Sequence, residues 1–378
     1  MHPLNPLFAL TVFVIAFATA YCINLKFKFN STSGRYETID GLRGFLALGV
    51  FIHHCAIWHQ YLQIGKWEIP KSVLYTELGS TSVALFFMIT SFLFVNKILN
   101  TGKQDYNWRK FFISRFFRLV PMYYFSLFLI FLISMTMTGW QLNVGLGEFI
   151  KSIWHWLIFA IAEEKTINNY EFTNFINAGV TWSLSYEWLF YFSLPLVGLV
   201  LLQKKPGLLV LLCSFAFIIF FIWVHSININ HLLAFVSGSI APVLLKFTNL
   251  STKINHFAFG CVVIGSLLLM VIIEKAYLIK LLVTLVFTLV AVGNSVFGLL
   301  KNSTLKFLGE ICYSTYLLHG IVLFTAMHFF IGLENAKLLT ASNFCIIIFC
   351  VTPLLVGVSF LGYNLIEKPW MNYGKKIK

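Results

Sequence analysis

Residues 41–60 read GLRGFLALGVFIHHCAIWHQ. As a helix, twenty residues rise about 30 Å, the thickness of the hydrocarbon layer of a bilayer. Arg43 near the start is the stretch's one Lys, Arg, Asp or Glu, and two adjacent imidazoles, His53 and His54, lie well inside it. The length and apolar character of the stretch fit a membrane span. The rest of the chain decides. Of 378 residues 59% are hydrophobic, 17% aromatic and 11% charged, against about 25% charged in a soluble domain. Comparable apolar windows recur near 7–25, 79–99, 117–139, 181–202, 207–224, 231–247, 256–274, 278–300, 307–328 and 340–364. The expected fold class is therefore all-α, a polytopic transmembrane helix bundle of about 11 spans.

Lys and Arg are distributed unevenly between the connecting segments. If 26–43 faces the cytoplasm, the inner segments hold 20 of the 27 basic residues, all five arginines among them. Positive loops stay inside, so the N-terminus is expected outside and the C-terminus in the cytoplasm. The net charge of +13 then reads as a topology signal, which argues against a nucleic-acid partner and for membrane lipid. Ala18-Thr19-Ala20 resembles a signal-peptide cleavage site, but no basic region precedes it, so 7–25 is kept as a span. The seven cysteines show no paired or CxxC spacing, and neither a disulfide framework nor a metal site is expected. No Pro/Gly/Ser-rich linker divides the chain, which reads as one membrane domain. The segment about 140–180 is a long outer connection. Its Trp-rich stretch from Lys151, flanked by Glu148, Glu163 and Glu164, reads as a helix at the membrane interface.

Ionisable residues within spans are costly and tend to face a partner or a functional site. On one helix His54 sits about 16 Å beyond Arg43, near mid-membrane, where imidazole can exchange protons near neutral pH. Arg43 also reads as a plain cytoplasmic anchor. Arg115 and Arg118, three apart on one helix face, can clamp an anionic phosphate, or simply touch acidic lipid heads. Tyr123 and Tyr124 follow one turn on, where an aromatic belt is the alternative. Glu187, about two turns into the fifth span from the outer side, can orient or deprotonate a histidine. Beside it Ser183 and Ser185 offer hydroxyls for hydrogen bonding or nucleophilic attack. Glu310 and His319 repeat the pairing of an inner acid with a mid-membrane imidazole. His225, His231, His256 and His328 lie at span ends, where a solvated imidazole is the default.

Four local patterns occur in order: Asp40-Gly-Leu-Arg43 with ten residues between the arginine and His54, Arg115-x-x-Arg118, Trp182-Ser-Leu-Ser-Tyr-Glu187, and Tyr316-Leu-Leu-His319 followed by Ile366-Glu367-Lys368-Pro369. In this order they resemble the acyltransferase-3 family of integral membrane acyltransferases from about residue 36 to 370. The resemblance implies an enzyme, an O-acyltransferase that passes an acyl group, commonly acetyl, from cytoplasmic acetyl-CoA to a hydroxyl of an extracytoplasmic glycan such as lipopolysaccharide O-antigen, in a bacterial plasma membrane. It assigns Arg43, Arg115 and Arg118 to the CoA phosphates and His54 to catalysis. The residues themselves add Asp40 and Tyr123 as candidates for the cofactor-binding set and Glu187, His319 and Ser185 as further catalytic candidates. The implied division is an extra N-terminal span and linker (1–35), the acyltransferase domain (36–370) and a cytoplasmic tail (371–378). The resemblance supplies no hydrolase-like domain here, so direct transfer or a separate partner is implied. Trp154, Trp156 and Trp182 are candidates to stack on a sugar ring. A proton-coupled transporter or flippase is the rival reading, since buried His and Glu also build proton relays.

Overall fold

The computed structural model describes residues 1–27, 36–101, 106–159, 161, 165–201, 205–247, 257–273 and 275–377. His256, Glu163 and Glu164 lie outside them. Among the described residues the regular structure is helical, without strands. The helices are α1 (Pro6–Phe27), α2 (Glu37–Ile64), α3 (Val73–Asn100), α4 (Trp108–Met137), α5 (Leu146–Leu157), α6 (Thr173–Ile176), α7 (Trp182–Leu201), α8 (Leu208–Val224), α9 (Ile229–Gly238) and α10 (Ile240–Phe247). There follow α11 (Phe257–Ile272), α12 (Ala276–Val292), α13 (Ser303–Glu310), α14 (Cys312–Thr325), α15 (Leu333–Lys337), α16 (Ala341–Gly362) and α17 (Lys368–Lys376).

Among the described residues seven helical stretches are long and apolar enough to cross a bilayer: α1, α2, α3, α4, α7, Ile229–Lys246 and Ala341–Lys376. The pair α13 and Cys312–Phe330, bent by 67°, makes an eighth where the two cross as one broken span. These make a multi-pass membrane protein. The expected count of eleven is not confirmed: the remaining apolar helices α8, α11 and α12 have 17, 16 and 17 residues and rise about 24–26 Å. The window 278–300 overran its helix for a local reason: α12 stops at Val292, and a separate 3₁₀ turn follows at Leu299–Lys301.

The chain forms two compact units, interleaved in sequence: residues 1–96, 230–316 and 326–360 make the first, and 97–229, 317–325 and 361–378 the second. Interleaving explains why no linker marked them. In the first unit α2 is the central helix, with 83% of its apolar window buried against 28% for α1. Its N-terminal turns lie directly on α13 and the turn before it. A Cβ at Gly41 would overlap the Leu300 carbonyl, and one at Gly309 the Asp40 carbonyl. Thr38 donates to the Val290 carbonyl at 2.8 Å, and Lys306 pairs with Glu37 at 3.0 Å. The expected N-terminal span, α1, packs on this unit through Phe13 against Phe45 and Phe8 against Phe349.

In the second unit α4 is started by Asn107, whose side chain accepts from the Lys110 amide at 2.8 Å. The helix α17 lies against α4, Phe117 stacking on Trp370 with ring centroids 5.9 Å apart. On α8, Leu208, Leu209, Leu212, Phe215, Ile219 and Ile222 are exposed, an apolar surface suited to lipid.

Candidate functional site

In the first unit the ionisable residues lie along α2. Arg43 and Asp40 form an i, i+3 ion pair at 3.8 Å, both partly exposed. Further along, His53 and His54 are each 9% exposed and meet edge to face, centroids 5.0 Å apart. His54 Nδ1 lies 3.0 Å from the Val50 carbonyl of its own helix, and His53 Nδ1 lies 2.7 Å from the Tyr75 carbonyl. A carbonyl only accepts, so Nδ1 carries the proton in both rings and a neutral ring keeps its lone pair on Nε2. Gly79 makes room for the His53 ring, since a Cβ there would come within 2.6 Å of it. Near the start of α2, the Asn96 amide donates to the Tyr36 hydroxyl. Glu310, partly buried, ends α13 just before the 67° bend.

In the second unit the sequence had Arg115 and Arg118 acting together. The structure gives them different partners. Arg118 lies 3.7 Å from Glu367, whose side chain is 0% exposed, and donates to the Met371 sulfur at 3.4 Å. Arg115 instead hydrogen-bonds the hydroxyl of Tyr191, and that hydroxyl donates to Glu187. Arg115 and Glu187, which the sequence set at opposite sides of the membrane, are thus joined through one phenol. They meet because α4 and α7 run side by side at this level, with Phe111 edge-on to Tyr191 and Phe112 against Phe192.

Just ahead of Arg115 stand two buried polar groups. Tyr106 and Trp108 are 7% and 4% exposed and pack edge to face at 4.7 Å. Among the described residues neither the Tyr106 hydroxyl nor the Trp108 indole nitrogen has a hydrogen-bond partner. Burial pushes the Tyr106 phenol up to about 12, with the positive charge of Arg115 pulling the other way. It therefore stays a proton donor throughout the physiological range.

Other candidates are held by backbone. Tyr123 is fully buried, donates to the Trp156 carbonyl at 2.6 Å and stacks on Phe159. Ser185 is fully buried and donates to the Phe159 carbonyl at 3.3 Å, while Ser183 donates to Val180 at 3.1 Å. His319, on α14, is fully buried. One expectation is corrected here. Trp156 cannot stack on a sugar, because it is 0% exposed and its indole donates to the Lys165 carbonyl at 2.7 Å; Trp154 is 60% exposed.

A profile described as an acyltransferase domain matches residues 36–363. The chain belongs to the acyltransferase-3 family. It is accordingly a membrane acyltransferase. The match opens where α2 does and closes seven residues short of the expected boundary at 370. Comparison with curated proteins and with solved structures yields no significant match. Within this acyltransferase, sequence reasoning missed Tyr191 and the partner of Arg118. A signal existed for Tyr191, which follows Glu187 by four residues and so shares its helix face. Glu367 was seen only as part of a pattern. Its partnership joins positions 249 residues apart, which no local spacing discloses.

Proposed function

We propose that this acyltransferase moves an acyl group, acetyl in the simplest case, from cytoplasmic acyl-CoA to a hydroxyl of an extracytoplasmic glycan such as lipopolysaccharide O-antigen. The membrane is a bacterial plasma membrane, with the N-terminus outside and the C-terminus in the cytoplasm, as the excess of Lys and Arg in the inner segments supports. The observation that carries the reading is the His54 tautomer. With Nδ1–H held on the Val50 carbonyl, the neutral ring is a base at Nε2, as acyl transfer to an alcohol requires.

In the proposed reaction His54 Nε2 takes the proton of the acceptor hydroxyl as its oxygen attacks the thioester carbon. The tetrahedral intermediate collapses, the C–S bond breaks, and the proton passes from His54 to the departing CoA sulfur. Arg43, Arg115 and Arg118 contact the CoA phosphates, with Asp40 orienting Arg43 and Tyr123 supporting α4 behind them. Tyr106 and Trp108 offer neutral donors beside Arg115 to the same molecule. Glu187 holds Arg115 through Tyr191, and His319 is a second imidazole for proton transfer. The alternative chemistry is a covalent acyl group on His54 or Ser185, which mass spectrometry of the protein quenched during turnover detects.

The test uses the full chain in lipid nanodiscs. Acetyl-CoA binds the wild type in calorimetry, and Arg115→Gln weakens binding about tenfold or more, the scale of a charge-assisted hydrogen bond. His54→Ala binds acetyl-CoA but transfers nothing. Wild-type transfer by His54→Ala would remove the base, and a protein that ignores acetyl-CoA while carrying protons would be the rival transporter. Mass spectrometry of surface glycans from cells with and without the protein identifies acyl group and acceptor together.

A further inference from the structure

Between α4 and α7 the chain builds a cleft of about 340 Å³ that the chemistry above does not use, lined by Val144, Glu148, Lys151, Ser152, Lys165, Thr166 and Asn169. Small-ligand sites run from about 300 to 1,000 Å³ and are mostly apolar. This cleft is at the small end and is the reverse in character, since Val144 is its one apolar wall. Its other walls offer ammonium donors, a carboxylate acceptor, an amide that does both, and two hydroxyls. Ser152 gives its proton to the Phe149 carbonyl at 2.8 Å, which leaves its oxygen to accept.

The walls are held firmly. Asn168, fully buried, donates to the Thr138 hydroxyl at 2.8 Å and the Gln141 carbonyl at 2.7 Å, and accepts from the Asn143 amide at 2.8 Å. Thr173 accepts from the Ile167 amide at 3.0 Å. Among the described residues seven non-glycine positions have positive φ, and five of them, Trp140, Phe159, Asn168, Asn169 and Ala178, fall in this segment. Such conformations persist only where the surroundings fix them. The same segment is fastened to α4 and α7, two of the helices that carry site residues. Tyr123 and Tyr124 of α4 donate to the Trp156 and Leu157 carbonyls, and Ser185 of α7 donates to Phe159.

We infer that this cleft binds the acceptor, holding part of a glycan chain by its hydroxyl groups. Sugar hydroxyls donate and accept at once, as this mixed lining requires. A lipid tail would need apolar walls, and a phosphate would meet the Glu148 carboxylate that shares the lining with the two lysines. Trp154, exposed and three residues beyond Lys151 on α5, stands on an adjacent part of the helix surface, where its indole can stack on a sugar ring. The inference rests on the acyltransfer reading for its biological sense, but glycan binding is measurable without it.

The probe is envelope polysaccharide from the expressing cells, deacylated with mild alkali and titrated against the full chain in nanodiscs. The wild type binds, and Lys151→Ala and Asn169→Ala each weaken binding at least about tenfold. Glu148→Gln and Thr166→Val, which change one hydrogen-bonding group with little change in bulk, also weaken it, and so separate lost contacts from misfolding. A wild type that does not bind, or four variants that bind like it, overturns the inference. Acetyl-CoA titrations run in parallel distinguish the two readings. Glycan binding that depends on the cleft, without acetyl-CoA binding, keeps the cleft and removes the donor; donor binding with cleft variants unchanged does the opposite.

Discussion

The pair formed by Arg118 and Glu367 allows a quantitative test. Glu367→Ala leaves the guanidinium of Arg118 without its carboxylate. At 3.7 Å the attraction is about 4.5 kcal/mol for an effective dielectric of about 20, but desolvation of the fully buried Glu367 side chain offsets much of that. The measured quantity is the cost of leaving one charge behind, about 3–5 kcal/mol for a buried pair. Because the Arg118 side chain is 16% exposed and can recover some solvation, the expected loss is about 3 kcal/mol, or several degrees of melting temperature. Glu367→Gln keeps the shape and a polar amide facing the guanidinium, and should lose about half as much. Combining Arg118→Met with Glu367→Leu removes both charges together and should recover most of the stability. The assay is thermal unfolding of the solubilised full chain followed by fluorescence. If Glu367→Ala melts with the wild type, or the double variant loses the sum of its two single changes, the ion pair is not what fixes α17 to α4.

Three further outcomes follow from the packing. Gly309→Ala forces a methyl into the Asp40 carbonyl, at the upper end of the about 1–3 kcal/mol typical of overpacking, and should lower the yield of monodisperse protein; Gly265→Ala, whose Cβ meets nothing within 4 Å, should not. Tyr191→Phe keeps the ring against Phe111 but removes the hydroxyl between Arg115 and Glu187. Calorimetry and thermal unfolding should show weaker acetyl-CoA binding and a stability loss of about 1–3 kcal/mol, and no change in either would dismiss the link. His225 follows α8, and burial lowers its imidazole below the usual range. Above about pH 6.5 it is neutral in folded and unfolded chains alike and contributes nothing. As pH falls below that value the unfolded chain takes the proton first, so stability declines until the pH passes the lower folded value. His225→Phe should flatten this part of a melting-temperature profile.

The helical, membrane-embedded character was legible because apolar content and the roughly 20-residue period belong to any solvent-facing count of residues. The burial of His53 and His54 within α2 was legible too, since two imidazoles inside an apolar window stand out from their neighbours. What escaped reading depended on distant partners. Arg115 and Arg118 look like one clamp along a helix, yet Tyr191 and Glu367 come from other helices and draw them apart. Tyr106 and Trp108 drew no reading from the sequence, because only burial without a hydrogen-bond partner among the described residues marks them. Gly41 drew none either, since its close approach is visible only against the Leu300 carbonyl.

The same ion pair bears on how the protein is made. Arg118 leaves the ribosome 249 residues ahead of Glu367, a delay of about 12–50 s at 5–20 residues per second. For that interval a cation that ends up largely buried has no carboxylate waiting for it, and the nascent chain must shelter it with lipid phosphates or the insertion machinery. A chain stopped before Glu367 therefore keeps its membrane helices but carries an exposed arginine, a mark by which quality control can recognise it.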